Sequence, residues 1–369
     1  MLDETAEVAI VHDYITQRGG AERVVLSLLT AFPSAVLYTT MFEPGASFPE
    51  FAGQRIVTSP LNHLGLLRRH HRLALPVLAP AVSLKRVRAR VTICSSSGWA
   101  HGFHVTGRKV VYCYAPARWL YQEARYLGEH NILGRAALRA MGSPLRSWDR
   151  RAALGADRYL VVSNAVRQLV EEVYGIHAEV VPPPVTLDLT GASKGIDGIG
   201  TGFFLLVSRL LPYKNVHVAL EAFRELPDQR LVVVGTGPEH ENLSRDAPSN
   251  VVLLGTVTDE ELRWLYMNTT AVVAPSFEDF GLTPLEGALN GKPTVAVRAG
   301  GYLDTVVEGT TGIFFNQASA QALRSAVTDL LSCQWDDKAI REHASLFSEE
   351  RFASRLREVV RGELAALAP

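Results

Sequence analysis

Cysteine is scarce in this chain. Cys94, Cys113 and Cys333 stand far apart, an odd number with no CxxC spacing. That argues against a disulfide framework and a thiolate zinc site, and fits a reducing cytoplasm. Long hydrophobic runs are missing too. The most apolar long stretch, Leu73 to Leu84, holds Pro76 and Pro80 and is too short to span a bilayer. The opening MLDETAE is acidic and runs straight into an apolar strand, so no secretory leader is read there. Neither sign of charge dominates: the net charge is −1, which offers no global argument for nucleic acid. These absences lead to the expectation of a soluble, cytoplasmic protein.

A local absence is more telling. No Asp or Glu occurs from Phe51 to Gln122, a segment with eleven Lys and Arg and five His. A solvated helix face that lost its acids by chance is one reading. An anionic partner is the other: a phosphorylated acceptor, or a membrane surface, where each cation contributes about 1 kcal/mol. The second would hold the protein peripherally on the inner face of the cell membrane.

What is present is an alternation. Apolar runs at Glu7–His12, Ala35–Tyr38, Val91–Cys94, Lys109–Tyr114, Arg158–Val162 and Ala178–Val181 end in turn residues, with helical patterns such as Ala21–Ala31 and Asn164–Tyr174 between them. This is the pattern of βαβ units and a mostly parallel sheet. The stretch TGASKGIDGIGTG, 190–202, lacks apolar periodicity and reads as a linker. The alternation then restarts, with strands at Phe203–Val207, Arg230–Val234, Asn250–Leu254, Ala271–Ala274 and Thr294–Val297. Helical patterns cover Val216–Leu226, Asp259–Met267, Ala320–Leu331 and Glu349–Leu367. The expected organisation is α/β: two doubly wound, Rossmann-like domains, 1–190 and 203–345, joined by linker 191–202 and followed by a final helix in 346–369.

In such sheets ligands sit outside the carboxyl ends of the strands, and a pocket between domains is a common binding place. After the first strand come His12 and Asp13, then Gly19-Gly20 directly before a helix, which can be only a turn or can offer amides to an anion. His12 reads equally as a structural or a working histidine. Arg209 and Lys214 flank the loop after strand 203–207, where two cations can converge on a diphosphate. Gly235-Thr236-Gly237 follows a strand, but His240 stands where a dinucleotide fingerprint needs its third glycine. The tight turn can still admit a phosphate or sugar.

PSFEDFGLTPLEG, 275–287, poses the sharpest question, with Glu278 and Glu286 around Phe280-Gly281-Leu282. One reading is a capped helix: Thr283 as N-cap, Pro284 first in the helix and Glu286 closing a capping box. The other is a ligand grip, because a carboxylate can accept hydrogen bonds from two vicinal hydroxyls, as on a ribose or hexose.

This stretch resembles the E-x7-E signature of retaining glycosyltransferases of the GT-B fold, family 4. RGGAE, SRLLPYKN, GTGPEHENL and LGTVTDEELRWLY fall in that family's order, and the resemblance covers nearly the whole chain. Residues 95–122 further resemble a mannosyltransferase-like branch acting in polysaccharide and O-antigen assembly. The resemblance implies two domains facing across a cleft and a last helix crossing back to the first. It implies Arg209 and Lys214 on the departing nucleoside diphosphate, and Glu286 on the ribose. Glu278 and the amides of Phe280, Gly281 and Leu282 would hold the donor sugar. Gly19 and Gly20, with Gly235 and Gly237, would approach the diphosphate, and the chain from Val257 on would meet the base. On the acceptor side stand Asp13, His101, Tyr114 and Arg118, with Tyr114 where many relatives carry a histidine. No cofactor is implied beyond the nucleotide-sugar co-substrate, GDP-mannose or a UDP-hexose. No metal is implied either, and no Asp-x-Asp is present to carry one. The expected reaction is retaining transfer of a hexose, mannose favoured, to a glycan or lipid-linked acceptor. The alternatives are a nucleotide-sugar epimerase of the same fold and a non-catalytic, membrane-associated sugar-binding protein.

Overall fold

The computed structural model describes residues 6–69, 75–122, 132–187 and 189–367. The chain divides into two compact units, Met1–Pro184 with Glu349–Pro369, and Val185–Ser348.

The strands of the first unit are β1 Ala6–His12, β2 Val36–Thr39, β3 Ile56–Thr58, β4 Arg86–Val87, β5 Ala89–Ser96, β6 His104–Val105, β7 Arg108–Cys113, β8 Arg158–Val161 and β9 Glu179–Val180. Seven of them form a parallel sheet in the order β3-β2-β1-β5-β7-β8-β9, and β4 pairs with β6. A parallel sheet covered on both faces needs unbroken apolar strands. Ala9, Ile10 and Val11 in β1 and Val91, Ile93 and Cys94 in β5 supply them, all fully buried. The helices Gly20–Ala31 and Glu349–Ala365 pack together in this unit. Ser27 Oγ donates to Glu349 Oε1 at 2.6 Å, Arg357 Nε donates to Ala31 O at 3.1 Å, and Phe352 meets Tyr112 edge-on. The last helix thus supplies Phe352, Leu356, Val359 and Val360 to the first unit's core.

The second unit holds β10 Phe203–Val207, β11 Leu231–Val234, β12 Val251–Gly255, β13 Thr269–Ala274, β14 Thr294–Val297 and β15 Gly312–Phe315. They form one parallel sheet in the order β12-β11-β10-β13-β14-β15. In both sheets the strand order reverses beside the first strand, between β1 and β5 and between β10 and β13. In open parallel sheets such a reversal is where the following loops part and ligands bind at the carboxyl ends.

The structure departs from the sequence reading in three places. Residues 191–202 are no loose linker: Ile199 is buried and Ile196 packs beside it against Phe203 and Leu265. The chain passes between the units at Pro184/Val185 and Ser348/Glu349, and Val185 N donates to Phe347 O at 2.9 Å, so both ends of the second unit lie side by side. Strands β3 and β15 and the helices Ile132–Leu154 and Asp337–Ser345 add to the expected elements. Among the described residues no helix is long and apolar enough to cross a membrane.

Candidate active site

The reversal between β10 and β13 gathers the residues of the second unit. Beyond β10, Pro212–Lys214 forms a single tight turn, and Asn215 takes a left-handed conformation (φ 54°) that redirects the chain into helix Val216–Arg224. Asn215 Nδ2 donates to Pro275 O at 3.1 Å, stitching this loop to the one after β13. Lys214, only 8% exposed, places its ammonium on Glu278 Oε1, and Ser276 Oγ donates to the same oxygen at 2.8 Å. Arg209 is exposed on the same loop, with Nη2 3.4 Å from Tyr213 OH. Lys214 and Glu278, expected to act on neighbouring parts of one ligand, are thus in direct contact.

Gly235 and Gly237 have a packing reason to be glycine. A Cβ on Gly235 would fall 1.9 Å from Ser208 O, and one on Gly237 would fall 2.2 Å from Leu210 O. Leu210 N donates to Thr236 O at 2.9 Å. The two glycines let backbone pass backbone and support the loop that carries Arg209. Val257 is half-buried, packs beside the Ile199 cluster, and precedes the capping box of Thr258 and Glu261.

The capped-helix reading of 283–286 does not hold. The helix runs Leu282–Leu289 with Gly281 as its cap, at φ 95° and so close to Tyr302 that a Cβ would lie 2.5 Å from Cδ1. Thr283 and Pro284 lie inside the first turn. Glu286 accepts from Tyr266 OH through Oε2. Phe280 is buried and meets Phe347 at 5.9 Å between ring centroids, so its ring belongs to the core and only its backbone is available to a ligand. Gly300 and Gly301 escaped the sequence reading. A Cβ at either would lie 2.2 Å from the 278–280 backbone, and Gly301 N donates to Glu278 O at 2.8 Å. The signal was visible: a Gly-Gly pair just past the strand now seen as β14.

In the first unit the reversal brings together His12, Ser95 and Tyr114. His12 Nδ1 lies 3.1 Å from Ser95 O and 3.0 Å from Ser95 Oγ. A carbonyl only accepts, so Nδ1 carries the proton. Ser95 Oγ lies 2.9 Å from Tyr114 OH, which donates to Ala21 O at 3.2 Å. Burial pushes the Tyr114 phenol far above its ordinary range, making it a fixed donor that ties β7 to the first helix.

Asp13 is a structural acceptor. Its buried carboxylate takes Ser97 N at 2.6 Å, Ser97 Oγ at 2.9 Å, Trp99 N at 2.8 Å and Ala100 N at 2.6 Å. His101 is equally engaged. Nδ1 meets Ser96 Oγ and Nε2 meets Asp149 Oδ1, both at 2.9 Å, while Asp149 Oδ2 also accepts from Tyr121 OH at 2.8 Å and Tyr174 OH at 2.7 Å. This Ser-His-Asp run has hydrogen-bond spacing but lies buried, out of a substrate's reach. Asp13 and His101, expected on the acceptor side, both brace the loop after β5. Arg118, half-buried, opens the short helix Arg118–Tyr121.

Gly19 caps the helix that begins at Gly20, and its own neighbour explains the glycine. Glu22, 1% exposed, folds back so that Oε2 lies 2.5 Å from where a Gly19 Cβ would be. Burial raises the pKa of this carboxyl, against a lowering by His12. In the sequence Glu22 stands out only as the last residue of RGGAE. In the acid-poor segment, Leu64, Leu66 and Leu84 are exposed, at 52%, 65% and 86%, and Arg86, Arg88 and Arg90 face outward by strand alternation. Residues 70–74 of that segment lie outside the described residues.

Two family descriptions match the chain in order: Glycosyltransferase Family 4 over residues 18–189, and Glycosyl transferases group 1 over residues 199–347. The chain belongs to these family 4 glycosyltransferases, and its two parallel-sheet units are those of the GT-B fold. It is 31% identical over 222 residues to the D-rhamnosyltransferase WbpZ of Pseudomonas aeruginosa, a match covering 56% of this chain and 55% of that protein. It is 30% identical over 210 residues to the GDP-mannose-dependent alpha-(1-6)-phosphatidylinositol monomannoside mannosyltransferase of Mycolicibacterium smegmatis, covering 50% and 55%. The chain thus spans about half the length of these two curated relatives. Among solved structures, Anabaena HepE in complex with UDP superposes with a TM-score of 0.70 at 16% identity, over 96% of this chain and 100% of that one, a likeness of fold.

Proposed function

We propose that this chain is a retaining glycosyltransferase. It moves a hexose, mannose by preference, from a nucleotide-diphosphate sugar to a hydroxyl of a glycan or lipid-linked acceptor, with side-chain cations in place of a metal. The observation that carries this reading is the contact of Lys214 with Glu278 at the β10/β13 reversal, beside Arg209 and the Gly281-capped helix. Arg209 and Lys214 take the diphosphate, whose charge grows as the C1–O bond breaks. Glu278 and the amides from Phe280 to Leu282 hold the sugar, and Glu286 holds the ribose. The acceptor oxygen bonds to C1 on the face the phosphate leaves, and its proton passes to the departing phosphate oxygen, so no strong protein base is required. That agrees with a Tyr114 held as a donor. Mannose on GDP is preferred because a relative that matches half of this chain is named as GDP-mannose-dependent.

Calorimetry and turnover with GDP-mannose, UDP-glucose and UDP-N-acetylglucosamine test the reading, with wild type beside Glu286→Ala and Lys214→Ala. Binding and slow hydrolysis of one donor, weakened by both substitutions, is the expected result. A wild-type chain that binds none of these donors overturns it.

The exposed Leu64, Leu66 and Leu84 and the outward Arg86, Arg88 and Arg90 of the acid-poor segment support a further element of the proposal: the first unit rests peripherally on an anionic membrane surface, where a lipid-linked acceptor lies.

A further inference from the structure

Tyr266 lies in the last turn of helix Asp259–Asn268, fully buried, in one apolar cluster with Phe203, Leu205, Leu265 and Val272. A phenol so placed needs an acceptor for its hydroxyl. It finds one on a different helix, at Glu286 Oε2. Gly287 is the reason the two helices can reach each other. A Cβ there would stand 2.5 Å from Val272 Cγ2, so helix Leu282–Leu289 lies hard against β13 and brings Glu286 within range of Tyr266. Burial and the facing Glu286 both push the phenol well above its ordinary range, so it keeps its proton and remains a donor. A carboxylate has about four acceptor directions, so a bond from Tyr266 does not by itself exhaust it.

We propose that Tyr266 is a positioning residue for Glu286. It anchors one carboxylate oxygen to the core of the sheet, so that the group meets the vicinal hydroxyls of a ribose in one orientation and the site selects ribonucleotides over their dideoxy counterparts. The proposal rests on the reading of Glu286 as the ribose ligand. A helix of eight residues behind a glycine cap leaves a long carboxylate several rotamers, and ordering it in advance spares that cost on binding.

The test is a calorimetric comparison of GDP, UDP and their 2′,3′-dideoxy forms on the full chain. Wild type, Tyr266→Phe, Glu286→Gln and the double variant are compared. Tyr266→Phe is expected to weaken the ribonucleotide that wild type prefers by about fivefold, the cost of ordering one long side chain on binding, and to change the dideoxy form by less than about twofold. On the Glu286→Gln background it should add little, because the pair acts as one unit. A merely structural role would weaken both forms alike, in step with the melting temperature. Equal weakening, or none, overturns the Tyr266 proposal and leaves the proposed function standing. A wild type that binds GDP and UDP no better than their dideoxy forms removes the ribose role of Glu286, and this proposal with it.

Discussion

Lys214 and Glu278 share an ion pair in which the lysine side chain is 9% exposed and the glutamate 23%. The two residues come from loops after different strands, and Ser276 Oγ supports the same carboxylate oxygen. A diphosphate arriving at Lys214 competes with a contact the ammonium already has.

Separate effects on the two halves of a donor follow. Glu278→Gln is expected to tighten binding of free GDP severalfold, since a neutral amide holds the ammonium less firmly, while turnover of GDP-mannose falls by about 100-fold. Lys214→Ala should lower both. Calorimetry with GDP beside a product assay reads the two, and weaker GDP binding in Glu278→Gln would show that the pair does not compete with phosphate.

Glu22 makes a prediction about pH. Its folded pKa lies above the ordinary 4.5 because burial disfavours the charged form. The stability it contributes is present below the unfolded pKa and is lost as pH rises through the folded one. Glu22→Gln, which has no proton to lose, should therefore gain on wild type as pH increases above 4.5. Urea denaturation of both proteins across that range gives the difference, which also carries the nearby charges of His12 and Asp13; a constant offset would contradict the shift.

Asp13 should matter for stability more than for chemistry. Asp13→Ala strands the buried backbone donors of Trp99 and Ala100 and the half-buried one of Ser97, at a cost on the order of 3 kcal/mol. Asp13→Asn keeps one accepting oxygen and should cost less. Thermal unfolding ranks the pair, and an unchanged melting temperature in Asp13→Ala would refute this role.

Changing Arg86, Arg88 and Arg90 together to Gln should reduce co-sedimentation with vesicles rich in phosphatidylserine, at about 1 kcal/mol per cation, with the effect vanishing at high salt. Wild-type protein that ignores such vesicles at low salt would leave the membrane proposal without support.

The alternation of strands and helices was legible because each parallel strand must be apolar along its whole length. The runs at Phe203–Val207 and Thr294–Val297 and the helix pattern at Asn164–Tyr174 coincide with the observed elements. β3, only three half-buried residues, lacks enough length to show a period. The segment 191–202 reads as a linker because its composition is small and polar, yet Ile196 and Ile199 pack into the unit and Lys194 N, Ala192 O and Gly202 N bond to it. The placement of Arg209, Lys214, Glu278 and Glu286 after strands was legible from the alternation. What Asp13 and His101 do was not, since the partners of Asp13 lie 84 to 87 positions along the chain and Asp149 lies 48 beyond His101. The start of the helix at Leu282 was hidden for a like reason: Gly281 is held by Tyr302, a tertiary neighbour.

The side-by-side ends of Val185–Ser348 set an order of events during synthesis. A ribosome releases the chain from its N-terminus, so the second unit is complete in sequence while the first still lacks Phe352, Leu356, Val359 and Val360. The earlier-made unit must wait with its sheet partly uncovered until the last helix emerges. A chain halted near Ser348 would carry a finished sheet inserted in an unfinished one, and the exposed apolar faces of β5 and β7 would mark it for the cell's proteases.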